Sequence, residues 1–181
     1  DIRQISYRAE FDAVVNLFTA FGYFEAERDD LKTLEAVRKS LKPGGQFLID
    51  LLNKEWLMRH FEPNFWGQGE DGRGAVVLDQ VSFNFEMGRL DNHRTIVAAD
   101  GGRVPSFISL RIYTLTEMKS LLARAGLAYR QVWGGFDGGA YGMDSPRMII
   151  LADRPPEGRA RKAPEETLAT AIRIKGRRRR A

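Results

Sequence analysis

Phe11-Asp-Ala-Val-Val-Asn-Leu-Phe18 is a short apolar, β-branched run, and Gln46-Phe-Leu-Ile-Asp-Leu-Leu52 is a second. Both have the composition of strands buried in a sheet. Between them Leu31, Leu34, Val37, Ser40 and Leu41 recur at helical spacing among charged residues, so Arg28–Leu41 is expected to be an amphipathic helix. Lys42-Pro-Gly-Gly45 is expected to break it before the second strand. Strand, helix and strand at this spacing make a βαβ unit with parallel strands and a right-handed crossover, which places the chain in the α/β class.

Working outward, Glu55–Phe61 is expected to form a short helix. Residues 74–113 then change character. Three β-rich runs, Ala75–Glu86, His93–Ala99 and Val104–Tyr113, are separated by Gly88-Arg-Leu-Asp-Asn92 and Asp100-Gly-Gly102. These predict an antiparallel meander inserted into the α/β pattern. Leu115–Ala125 is expected to be a helix, with Thr116 as N-cap, Glu117 in its first turn and Gly126 at its end. Two last strands, Tyr129–Trp133 and Arg147–Ala152, flank a loop rich in glycine. The expected organisation is one body over residues 1–154 and a disordered tail over 155–181.

The basic balance belongs to that tail. The chain has 181 residues, a formal net charge of +4 and no cysteine. Residues 155–181 carry +6, ending in Arg177–Arg180, and the remaining 154 residues carry −2. A slightly acidic body disfavours a duplex polyanion as the ligand. Without cysteine there is no disulfide, thiolate zinc site or cysteine nucleophile. No apolar run approaches the ~18 residues that span a bilayer, and a cytoplasmic protein is expected. The two histidines, His60 and His93, and the scattered acids lack metal-ligand spacing. Each histidine reads as structural or exposed.

Open α/β sheets take their ligands beyond the carboxyl ends of the strands. Asn16, Leu17, Phe18, Thr19, Phe21, Gly22 and Tyr23 stand at or just past the first strand's end. On pattern alone Leu17 and Phe18 suit the core, and Asn16 suits a backbone cap.

Taken in order, Asp1-Ile-Arg3, Phe11 to Tyr23, Leu41-Lys-Pro-Gly-Gly-Gln-Phe-Leu-Ile-Asp50 and Tyr113-Thr-Leu-Thr-Glu-Met118 to Gly126 resemble the second half of bacterial class I S-adenosylmethionine-dependent methyltransferases. The likeness runs from residue 1 to about Arg154. It implies a partial Rossmann-like, seven-stranded methyltransferase sheet, closed by a reversed last strand. It also implies roles for particular residues. Asp1 matches the acidic residue that accepts from the adenine amino group, with the backbone of Ile2 facing the ring. Asn16 and Leu17 match the strand-end positions beside the methionine part of the cofactor. Phe18, Phe21 and Tyr23 would wall the cofactor or the acceptor, and Tyr23 could offer a hydroxyl. Without the resemblance, Asp1 reads as a solvated chain end.

The family's glycine-rich cofactor loop and acidic ribose ligand have no counterpart here. Gly67-Gln-Gly-Glu-Asp-Gly72 has the Gly-x-Gly-x-x-Gly spacing, but it leads into a β run and carries acids that would repel an anion. The resemblance therefore implies the C-terminal portion of a longer methyltransferase, whose cofactor would bind this portion alone weakly or not at all. The strand-end Asn16-Leu-Phe-Thr19 also departs from the Asn-Pro-Pro-Tyr signature of enzymes that methylate DNA bases and glutamine, which argues against those substrates. A small-molecule acceptor is the leading expectation, and an RNA-modifying enzyme, which would need a basic cleft that the body composition does not favour, is a third reading.

The meander would then serve as a lid over the acceptor, excluding water. Val81, Phe83 and Phe85 alternate onto one face and suit either a pocket roof or packing on the body. Arg111 and Tyr113, two apart, are the polar candidates for the acceptor side, with a surface pair as the plainer reading. Trp133, Phe136 and Tyr141 either complete an aromatic pocket or anchor the glycine loop. The competing functional reading is a non-catalytic, methyltransferase-like binding module whose arginine tail holds RNA or an acidic partner.

Overall fold

The first crossover forms where the hydrophobic periodicity requires it. In a computed structural model, which describes residues 1–69 and 74–156, strand β1 spans Phe11–Asn16, helix α1 Glu27–Ser40 and strand β2 Leu41–Leu52. The strands pair in parallel, Val14 opposite Phe47 and Asn16 opposite Ile49. Helix α1 buries Leu34 and Val37 in the main core, where they meet Phe47, Ile49, Met118, Leu122 and Ile150.

The remaining elements are helix α2 (Lys54–Arg59), strands β3 (Asn64–Gln68), β4 (Val76–Asn84), β5 (Arg89–Val97) and β6 (Arg103–Arg111), helix α3 (Leu115–Arg124), and strands β7 (Ala128–Trp133) and β8 (Arg147–Asp153). One sheet has the order β1-β2-β8-β7, and the other is the meander β3-β4-β5-β6. β8 runs antiparallel to both β2 and β7. This reversed strand, inserted between parallel ones, is the feature of the half-sheet that separates it from a plain doubly wound fold.

Four local expectations need correction. The first strand ends at Asn16 instead of Phe18, because the chain turns left-handed there. Lys42–Gly45 does not precede the second strand but bulges within it: the register jumps from Phe11↔Leu41 to Ala13↔Gln46, with Gly44 at φ +83°. A bulge of this kind needs a residue free to adopt positive φ, which glycine supplies. The meander has four strands, because Asn64–Gln68 pairs with β4. It is too short and polar for its alternation to stand out, and β5 begins at Arg89 because the chain has already turned at 85–88. Finally, the α3 N-cap is Thr114, which forms a reciprocal capping box with Glu117. Thr116 lies inside the helix.

The basic tail proposed for 155–181 lies outside the described residues from 157 onward, as does part of Gly67–Gly72.

Candidate functional site

The carboxyl ends of β1 and β2 meet the start of β8 along one edge of the first sheet. Asn16 closes β1 and is nine-tenths buried. Its amide nitrogen donates to the Ala20 carbonyl at 3.5 Å, while its Oδ1 is buried without a partner. Leu17 is half-buried, and the Phe18 ring is 78% exposed. Phe18 and Thr19 both stand at φ +58°. Each left-handed non-glycine residue costs roughly 1–2 kcal/mol, so two in succession must be held by their surroundings.

What holds them is Asp50, wholly buried near the end of β2. Its Oδ2 accepts from the Phe18 amide at 2.8 Å, and its carbonyl accepts from the Thr19 amide at 3.1 Å. Arg147, the first residue of β8, grips the carboxylate bidentately at 2.8 and 2.6 Å and also donates to Thr19 Oγ1 at 2.9 Å.

A second hub lies at the β2–α2 turn. Asn53 is fully buried, and its Oδ1 caps α2 by accepting from the Glu55 and Trp56 amides. Its Nδ2 donates to the carbonyls of Gly142 and Ser145, both at 2.7 Å. Tyr141 donates to Glu55 at 3.0 Å, and burial together with that carboxylate pushes its hydroxyl pKa up. The glycine-rich loop is thus tied to the strand ends, and within it Phe136 tilts toward Phe18 with 6.3 Å between ring centroids. Trp133 ends β7 and bridges to Ala140. Sequence reasoning passed over Asn53, although an Asn between an apolar run and a charged helical start is an N-cap signal.

The other candidates fall into two groups. Asp1 and Ile2 open a 3-10 turn, Ile2–Gln4, in which the Asp1 carboxylate accepts from the Arg3 amide at 2.9 Å and from the Arg3 guanidinium. Arg3 in turn stacks over Phe24 at 4.4 Å and pairs with Asp29 at the start of α1.

Tyr23, half-exposed, lines an open cleft of about 570 Å³ with Glu25, Met87, Arg89, Asp91, Phe107 and Ser109. Arg89, which sequence reasoning missed, is buried there and donates to Ser109 Oγ at 2.7 Å, Ser109 O at 2.8 Å and Phe24 O at 3.0 Å. It fastens the meander to the loop that carries Tyr23. Only pairing with the β1–α1 loop reveals this, since a lone strand Arg carries no such signal.

Arg111 and Tyr113 are brought together, but not as two groups on an open face. The Arg111 guanidinium lies 5.0 Å over the Tyr113 ring and pairs with Glu27 at 3.3 Å. Tyr113 is 2% exposed, packs in the core with Phe21, and donates its hydroxyl to Asp30 at 2.6 Å. The strand ends at Arg111, so the alternation that put the pair on one face does not extend to 113. Burial raises the pKa of both partners, with the hydrogen bond to Asp30 adding to the rise at Tyr113. Tyr113 is therefore held in the core as a hydrogen-bond donor to Asp30.

Of the remaining residues, His60 stacks on Trp56 at 4.5 Å and His93 tilts on Phe107 at 4.8 Å. Phe83 meets Phe85 edge-on, but Phe85 lies in the turn and is 81% exposed. No cluster of His, Asp and Glu among the described residues could hold a metal ion, and no helix among them is long and apolar enough to cross a membrane.

No protein-family model matches the chain, and neither does any curated protein. Solved structures do match. The CcbJ methyltransferase from Streptomyces caelestis is 19% identical at TM-score 0.72, over 86% of this chain and 62% of that one. An S-adenosylmethionine-dependent methyltransferase from Clostridium acetobutylicum is 17% identical at TM-score 0.72, over 86% and 63%. CalS10, an S-adenosylmethionine-bound amino pentose methyltransferase from Micromonospora echinaspora, is 23% identical at TM-score 0.60, over 85% and 62%. The chain thus spans less than two thirds of the length of each. At these identities the likeness establishes the fold, which is that of class I S-adenosylmethionine-dependent methyltransferases, an α/β, Rossmann-like sheet with an inserted meander.

Proposed function

We propose that the protein containing this chain is a cytoplasmic S-adenosylmethionine-dependent methyltransferase acting on a small-molecule acceptor, with this chain supplying the second half of the sheet and the acceptor side. One observation carries the reading: at the end of β1 the buried Oδ1 of Asn16 lacks a partner, next to the exposed ring of Phe18. A buried acceptor without a donor is costly, and a ligand amine meeting it would remove that cost.

When bound, the cofactor supplies a sulfonium methyl for in-line displacement. The protein's task is then chiefly alignment. Asn16 Oδ1 accepts from the amino group of the methionine part, and Leu17 and Phe18 cover its apolar surface. Asp1 and Ile2 take the adenine end. For that contact the Asp1 carboxylate uses an oxygen lone pair not engaged by Arg3, since a carboxylate has about four acceptor sites. On the acceptor side Tyr23 offers its hydroxyl into the cleft, while Arg111 and Tyr113 hold the wall behind it. The meander covers the acceptor, with Arg89 keeping it against the Tyr23 loop. The activity named for CalS10, an amino pentose methyltransferase, supports a small-molecule acceptor.

The test is calorimetric binding of S-adenosylhomocysteine to the full-length protein, followed by turnover of S-adenosylmethionine against a metabolite panel. Micromolar binding that weakens in Asn16→Ala and Phe18→Ala is expected. No binding, or identical binding in both variants, rejects the reading.

A further inference from the structure

We propose that Asp50 and Arg147 are positioning residues that set the left-handed turn at Phe18–Thr19 and thereby aim the end of β1 at its ligand. What the turn presents rests on the methyltransferase reading, whereas the turn and its supports are independent of it.

The turn is two consecutive non-glycine residues at φ +58°, a conformation the chain does not adopt unaided. Both of its amides are answered by one residue: the Asp50 side chain accepts from Phe18, and the Asp50 carbonyl accepts from Thr19. The carboxylate is wholly buried, and its orientation is fixed by Arg147, whose fork meets both oxygens. The same guanidinium continues to Thr19 Oγ1 at 2.9 Å, so it fixes the acceptor of one turn residue and the side chain of the next.

A buried ion pair is weak evidence of stability, because a well-packed apolar pair in the same space does as well. Its use here is geometric: three strand-end segments, β1, β2 and β8, are locked in one arrangement by a planar group that lysine cannot imitate. Phe18 is the first residue of the turn and Asn16 lies two residues before it, so any relaxation moves both the exposed ring and the unpartnered amide oxygen.

The experiment uses the full-length protein with two readouts, hydrogen exchange at the Phe18 and Thr19 amides and calorimetric binding of S-adenosylhomocysteine. In Arg147→Lys, which keeps the charge but loses the fork, exchange at these two amides should rise about tenfold or more, since a charge-assisted hydrogen-bond array is lost. Amides of Ile49 and Leu51 in β2 should exchange as before, which separates a released turn from a melted sheet. Cofactor affinity should fall about tenfold, and adding Thr19→Gly should recover part of it, because glycine adopts positive φ without steric cost.

If Arg147→Lys does not fold, Thr19→Val serves instead: it leaves the Asp50–Arg147 pair whole, replaces only the hydroxyl with a methyl group, and should raise exchange at the turn by a smaller factor. Unchanged exchange at Phe18 and Thr19 in the folded variants overturns the proposal, as does Thr19→Gly failing to recover any affinity that Arg147→Lys has cost. A wild-type protein that binds no S-adenosylhomocysteine refutes the methyltransferase reading alone, and the exchange data still decide the role of the pair.

Discussion

Tyr113 donates its hydroxyl hydrogen to Asp30 across 2.6 Å inside the core, joining the chain just after β6 to the first turn of α1. The other carboxylate oxygen of Asp30 is buried without a partner. The contact therefore stands between a buried carboxylate and full isolation. Tyr113→Phe should destabilise the fold by roughly 1–3 kcal/mol, the cost of leaving a buried polar group unsatisfied. Urea denaturation at neutral pH measures this, and a loss of turnover without loss of stability would instead return Tyr113 to the reacting centre.

Two buried carboxylates should shape acid stability with opposite signs. Burial raises the Asp30 pKa above its ordinary 3.8, so the folded state holds that proton more tightly than the unfolded chain. Its contribution is complete below 3.8 and is lost as pH rises through the folded value. Asp79 is lowered from 3.8, chiefly by its hydrogen bond from Arg94, and contributes stability above 3.8 that disappears as pH falls through the lowered value. Unfolding free energies measured across pH should lose the first dependence in Asp30→Asn and the second in Asp79→Asn. An unaltered profile in either variant contradicts the assignment.

Gly22 cannot be replaced cheaply. It stands at φ +101°, its carbonyl accepts from the Arg111 amide at 2.9 Å, and an added Cβ would lie 2.6 Å from the Arg111 carbonyl. Gly22→Ala should cost on the order of 1–3 kcal/mol through backbone strain alone, with more from the clash. It should also loosen the Tyr23 loop from the end of β6. Thermal denaturation checks the first effect, and a wild-type melting temperature would show that the loop has another conformation available.

Tyr23→Ala should separate the two halves of the proposed site. The acceptor KM is expected to rise about tenfold from the lost contact, while the S-adenosylhomocysteine Kd stays at the wild-type value. Steady-state kinetics with the acceptor found in the metabolite panel, together with calorimetry, measures the split. An equal effect on both constants would place Tyr23 with the cofactor instead.

Asn53→Ala tests the hub of the glycine-rich loop. It removes the α2 cap and the side-chain donor to the Gly142 and Ser145 carbonyls, of which Gly142 keeps the Ser145 hydroxyl at 2.8 Å, so a loss of about 1–3 kcal/mol is expected. Faster amide exchange at Gly142 and Ser145 in the variant would localise the effect, and full protection there would refute it.

Local periodicity was enough for much of this chain. The apolar run at Phe11–Asn16, the spacing through Leu34 and Val37, and the run ending at Leu52 dictate strand, helix and strand wherever a core is available, because each must bury one stripe or face. The fold class and the neighbourhood of Asn16 and Phe18 follow from that order alone. What periodicity does not carry is partnership across the chain. The insertion of β8 between β2 and β7, the tie from Arg89 to Phe24, the turning of Tyr113 inward to Asp30, and the grip of Arg147 on Thr19, 128 residues away, depend on which surfaces meet after collapse. A buried charge or a left-handed residue is tolerable only where a distant group answers it. The tertiary structure alone therefore decided which polar residues hold the strand ends together and that Asn16, at the end of β1, keeps a buried oxygen without a partner.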